Sequence, residues 1–133
     1  MYEVGREKIR EFADAVGASS PLHRDPEAAR VAGYADVIAP PTFATIISMK
    51  ATSVVVNDPE LGLDYSRVVH GSQSFVHHRP MVAGDRLVTT VHVDDVQTRM
   101  GNDFLTVRAA IATVDGEVVC TGTGLLVARG EDA

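Results

Sequence analysis

The side chains able to move a proton or attack a carbon are few: five histidines, one cysteine and scattered carboxylates. His23 stands in the loop Ala18-Ser19-Ser20-Pro21-Leu22-His23-Arg24-Asp25, between two stretches of helical character. Imidazole is the group suited to general acid–base work near neutral pH, although a loop histidine taken alone reads as a hydrogen-bonded surface group. Asp14, one helical turn before Gly17, and Asp25 bracket it in sequence. Asp25 is explained as the N-cap of the helix that Pro26 opens, and Asp14 as a solvated helix residue. His77 and His78 alternate across a strand pattern, so they face opposite sides and cannot share a site or a zinc ion. His70 beside Gly71 marks a bend. Cys120, in a Val-rich strand, reads as a small buried hydrophobe, and a single cysteine excludes an internal disulfide or a Cys-rich cluster. Arg67 and Arg79 are candidates for contact with a phosphate, against the plainer reading of solvated charges.

The elements that must position these groups fall into a helical first half and a strand-rich second half. Ile9, Phe12, Ala13 and Val16 recur at helical spacing over Glu7–Val16, with Gly17 as the stop. A short helix begins at Pro26 and ends at Gly33. Pro41 suits the first turn of a longer helix in which Phe43, Ile46, Ile47 and Met49 are too densely apolar for a surface position, so this helix is expected to be wrapped by other structure. Its end is ambiguous, because Val54-Val55-Val56 has strand propensity, but Asn57-Asp58-Pro59 forces a stop. Beyond Tyr65 the stretch 66–80 reads as a strand with a bulge or bend at Gly71. Residues 86–99 alternate, with Leu87, Thr89, Val91 and Val93 on one face. A turn at Gly101-Asn102-Asp103 leads to the strand 104–114, Asp115-Gly116 is the strongest hairpin signal, and 117–130 is the last strand before a polar tail.

One buried helix followed by long strands calls for an α+β hotdog fold, an antiparallel sheet curled around the long central helix, as a single domain over residues 1–133. An exposed edge strand in such a sheet predicts dimerisation. At 133 residues, 45% hydrophobic and 23% charged, the composition is that of a globular protein with a core of its own. The net charge of −6 argues against a nucleic-acid partner. No apolar run approaches a membrane span, and the charged start lacks the apolar core of a signal peptide, so a cytoplasmic protein is expected.

The segment from Gly17 to Phe43 resembles the hydration loop of the MaoC-like hotdog family, the (R)-specific enoyl-thioester hydratases and β-hydroxyacyl-thioester dehydratases. Gly17, Pro21, Leu22, His23 and Asp25 match its pattern, Glu27-Ala28-Ala29 its short helix, and Val37-Ile38-Ala39 the approach to its central helix. The run Phe75 to Leu87, containing Arg79-Pro80 and Gly84-Asp85-Arg86-Leu87, is similar to the family's strand–turn–strand. Three positions depart: the family's catalytic Asp falls on Ala18, its loop Asn on Ser20, and its His-Gly on Pro40-Pro41. Ala39-Pro40-Pro41-Thr42-Phe43 is more similar to the HadA-type subunits of actinobacterial fatty-acid dehydratases. That resemblance implies an acyl-channel subunit that acts with a HadB-type chain carrying the Asp and His. Chains of that type usually begin upstream of the position of Met1.

The implied reaction, reversible dehydration of a 3-hydroxyacyl thioester on CoA or acyl carrier protein, needs three things and no cofactor or metal. A base removes the α-proton, which the resemblance assigns to His23. An acid protonates the leaving hydroxyl, and the methyl of Ala18 cannot. Backbone N–H donors must meet the developing enolate, and Pro41 has none to give. Ser20 and Thr42 are candidates by position to contact the thioester end. The expectation is a dehydratase or hydratase subunit that is inactive alone and paired with a HadB-type chain or a second copy. Its rivals are a non-catalytic homodimeric acyl-thioester binder and, last, a thioesterase. The thioesterase lacks the acidic residue it would need between Pro40 and Val56, leaving only Asp58 or Glu60 at the helix end.

Overall fold

A computed structural model describes residues 1–60 and 67–130; the beginning of the expected first long strand at Ser66 and the polar tail at 131–133 lie outside the described residues. The chain opens with a two-residue strand, β1 (Tyr2–Glu3), followed by helix α1 (Arg6–Val16). Ile9 and Ala13 of α1 are fully buried, whereas Val16, expected on the same face, is half exposed because the helix is already closing there. Gly17 takes φ 72°, and the Gly17 N–H bonds to Asp14 O while the Ala18 N–H bonds to Ala13 O at 2.8 Å, a Schellman closure that favours glycine. A 3₁₀ turn (Pro21–His23) and helix α2 (Pro26–Val31) follow. A second 3₁₀ turn (Pro41–Phe43) leads into helix α3 (Ala44–Val56), so the Val-rich end stays helical.

Four long antiparallel strands complete the fold: β2 (Val68–His77), β3 (Arg86–Arg99), β4 (Asn102–Thr113) and β5 (Val118–Ala128). They form one sheet in the order β1-β3-β4-β5-β2, curled against α3, which is the α+β hotdog arrangement. In β4, Leu105, Val107, Ala109 and Ile111 alternate toward the helix. The β3–β4 turn is tighter than expected. Arg99 pairs with Asn102, and Met100 and Gly101 are the two turn residues, both at positive φ, which matches the strand twist. Asn102 and Asp103 already belong to β4. β2 carries its predicted irregularity at Gly71, where the register with β5 shifts between His70 and Ser72. In β3, Thr89, Val91 and Val93 lie opposite Ile111, Ala109 and Val107 and so share their face, although Val93 is partly exposed; a bulge between Val93 and Asp95 interrupts the alternation beyond it.

The core beneath the start of α3 is built around Phe43, fully buried, with Phe12 packed edge-on against it at 5.6 Å. Ile9, Val37, Leu87, Ile111 and Val119 close this cluster. Further along, α3 is covered on one side only. Met49 and Val54 remain 53% and 72% exposed, so the described residues do not complete the wrapping expected for so apolar a helix. No helix among the described residues is long and apolar enough to cross a membrane.

Candidate active site

His23 ends the 3₁₀ turn whose first N–H is held by Ser20, since Leu22 N donates to Ser20 Oγ at 3.2 Å. The imidazole is buried, and its Nδ1 lies 2.7 Å from Ile38 O. Donation from Nδ1–H to that carbonyl fixes the tautomer and leaves the Nε2 lone pair for a substrate proton. Ile38 is itself pinned from both sides. Its N–H donates to Leu22 O, and the flanking residues bond to the segment after Pro80, with Ala39 N on Met81 O and Ala83 N on Val37 O. The acceptor that aims His23 is therefore held by backbone ladders that the sequence pattern could not display.

A cavity of about 410 Å³ opens here, bordered by His23, Ile38, Pro41, His77, Pro80 and Met81. His78, the next residue, also borders it. β2 ends at His77, so strand alternation does not govern the next residue. His77 Nε2 lies 2.9 Å from Pro41 O and donates to it, tethering the turn that opens α3.

Neither candidate acid reaches this cavity. Ala18 presents a methyl group, and its carbonyl accepts from Arg24 Nη2 at 2.6 Å. Arg24 Nη1 stands 3.0 Å from Asp14 Oδ1, with Arg10 also nearby, so Asp14 is an ion-paired carboxylate on the outer surface. Asp25 Oδ1 accepts from Glu27 N, the N-cap read from sequence. Ser20 is occupied as a turn cap and Thr42 is exposed on its 3₁₀ turn; neither borders the cavity. Pro41, which the resemblance sets at the oxyanion position, has no N–H to give, and the Phe43 N–H is spent on Pro40 O. Among the described residues no group of three or more His, Cys, Asp or Glu could hold a metal ion. An imidazole so held can accept a proton in this cavity, whose lining among the described residues includes no Asp or Glu.

Arg79, read as a candidate phosphate contact, is already engaged. Its guanidinium makes two hydrogen bonds to Asp85 at 2.8 and 3.1 Å, another to Glu117, and one to Pro80 O. These partners, Asp85 foremost, raise its pKa further. Asp85 also accepts from Val82 N, so Arg79 and Gly84-Asp85 form one structural clamp across the turn. Cys120 is fully buried, and that burial pushes its thiol up to about 11, as suits an inert core residue.

A second cavity, of about 270 Å³, lies between α3 and the sheet. Met49, Val68, Val107, Ala109 and Leu126 give it an apolar lining, while Gly122 and Gly124 leave room above β5. His70 and Gln73 project into it, a placement that the strand pattern did not show; Gly71 and the alternate glycines of β5 were its only signals in the sequence.

A curled sheet against one helix, with a buried histidine held by a backbone carbonyl at the start of that helix, defines a hotdog protein of the dehydratase and hydratase type. The chain belongs to the family described as FAS1-like, dehydratase domain region, whose model matches residues 1–122. It is 72% identical over 129 residues to the UPF0336 protein of Saccharopolyspora erythraea, covering 97% of this chain and 83% of that relative. The UPF0336 protein of Thermobifida fusca is 52% identical over 130 residues, covering 98% and 86%. Among solved structures, a chain of the C-terminally truncated HadBC complex, a (3R)-hydroxyacyl-ACP dehydratase from Mycobacterium tuberculosis, superposes with a TM-score of 0.84. That match has 34% identity over 95% of this chain and 88% of that one. A MaoC-like dehydratase superposes with a TM-score of 0.89 and 34% identity, over 98% of this chain and 40% of that one.

Proposed function

We propose that this chain is the acyl-binding subunit of a (3R)-hydroxyacyl-thioester dehydratase or (R)-specific enoyl hydratase, working in the cytoplasm with a second hotdog chain of HadB type. The observation that carries the reading is a histidine aimed at a cavity whose walls, among the described residues, hold no carboxylate. The partner would supply the Asp, the His and the oxyanion N–H. This chain contributes the cavity beneath α3, where an acyl tail extending from the thioester is shielded from water. The substrate is a thioester of CoA or acyl carrier protein. Asp58 and Glu60, the carboxylates a thioesterase would have to use, border neither cavity, and Asp58 is bonded to the Glu60 N–H.

Crotonyl-CoA hydration tests this directly. The purified chain alone is expected to give no turnover, because losing an oxyanion donor and an acid each costs roughly 10²-fold or more. Mixing with a hotdog chain that carries the missing Asp is expected to restore it. Turnover by this chain alone, abolished in His23→Ala, would overturn the subunit reading and assign a complete site to it. Binding of acyl-CoA without turnover in either setting would instead assign a homodimeric acyl-thioester binder.

A further inference from the structure

The second cavity contains a device that a plain hydrocarbon tail would not require. Residues alternate faces along a strand, so His70 and Gln73, three apart, belong on opposite sides of β2. The extra residue at Gly71 changes that: His70 pairs with Leu126, Ser72 with Leu125 and Gln73 with Gly124. The bulge brings both side chains to the cavity side, where His70 Nε2 lies 3.0 Å from Gln73 Oε1. A Cβ at Gly71 would meet Leu125 O at 3.4 Å, so the bulge is closely fitted to β5.

The carboxamide is seated on two glycines. A Cβ at Gly124 would stand 2.8 Å from Gln73 Oε1, and one at Gly122 would stand 3.3 Å from Gln73 Nε2. The amide therefore lies along β5 over a stretch of bare backbone. Glycines inside a strand weaken it, and a bulge interrupts its ladder. With His70 donating to the amide oxygen, Gln73 presents its NH₂ group, of which one hydrogen has only a long 3.4 Å contact to Ser74 O. Gln73 and His70 are exposed at the open side of the cavity, so this N–H donor stands beside the apolar surfaces of Val68, Val107 and Leu126, a setting that suits a ligand mostly of hydrocarbon with one acceptor oxygen.

We propose that Gln73, held by His70, determines specificity for thioesters whose acyl tail bears a hydroxyl or keto oxygen beyond the reacting carbons. This rests on the acyl-binding reading above and names the substrate class within it. The test is calorimetric binding of octanoyl-CoA to the full chain, compared with hydroxy- and oxo-octanoyl-CoAs whose oxygen is stepped along the chain beyond the third carbon. One oxygen position is expected to bind about tenfold tighter than octanoyl-CoA, the scale of one satisfied hydrogen bond. Gln73→Leu should abolish that preference while binding octanoyl-CoA at least as well. Gly124→Ala, which displaces the amide, should do the same without removing it. Octanoyl-CoA binding with no preferred oxygen position, or a preference that survives Gln73→Leu, would overturn this inference and leave the acyl-binding reading standing. Failure of every acyl-CoA to bind would overturn the acyl-binding reading, and this inference with it.

Discussion

Arg79 borders the cavity at His23 and is at the same time bound into a structural clamp. A guanidinium bonded to Asp85, Glu117 and a carbonyl is three-quarters shielded from solvent, and its partner Asp85 is more deeply covered still. Arg79→Met is expected to destabilise the fold by about 1–3 kcal/mol, because it strands the partly buried Asp85 carboxylate. Asp85→Asn should cost a similar amount, and the double variant should cost less than the sum. Urea unfolding of the three variants checks this; additive losses would show that the two groups act independently. His23 was legible from its loop, but the carbonyl that fixes its tautomer was not, since Ile38 is fifteen residues away. Gln73 was not legible either. Gly71 signalled a bulge or bend, but the residues of the strand did not show that Gln73 would come to the same face as His70.

At the scale of elements, the two helices before the central one, the central helix and the four long strands could be read from the residues. Their patterns are long enough to separate the helical period from the strand period. The two-residue β1 carries no period, and it is a strand only because Leu87 and Arg86 lie beside it. The β3–β4 turn moved one residue toward the N-terminus because a two-residue loop with both residues at positive φ twists as the strands do. One tie between elements also sets an acid limit on stability. Arg6, at the start of α1, makes two hydrogen bonds to Asp36, which also accepts from Val37 N and so steadies the segment that pins Ile38. The hydrogen bond from Arg6 holds the Asp36 carboxyl below its ordinary value of 3.8, with the backbone bond from Val37 adding to the effect. A carboxyl whose pKa is lowered on folding stabilises the fold fully above its unfolded value, and that contribution disappears as pH falls through the folded one. Asp36→Asn should therefore be less stable than the parent at neutral pH. The gap should close below about pH 4, measured by urea midpoints across that range. A gap that stayed constant with pH would remove the ion pair as its cause.

For the whole molecule, the sheet's two long edges are not alike. The outer edge of β3 carries Asp94, Asp95 and Arg99, charges that discourage another strand from pairing there. Among the described residues β2 pairs only with β5, and its ten residues contain no Lys, Arg, Asp, Glu or Pro. Val76, near its end, is 61% exposed. The uncovered side of α3, with Met49 and Val54, leaves further apolar surface without cover in the chain. Edge and helix face are the apolar surfaces that the proposed pairing with a second chain would cover. Pairing through β2 would carry an introduced charge at its edge into a region being desolvated, at a cost of several kcal/mol. Val76→Asp is therefore expected to convert a dimer of the purified chain to monomer in sedimentation equilibrium and to abolish assembly with the complementary subunit. Val96→Asp, an equally exposed valine on the opposite edge, should do neither. If Val76→Asp left the dimer intact while Val54→Asp dissolved it, the helix face rather than the strand edge would be the surface that joins the two chains.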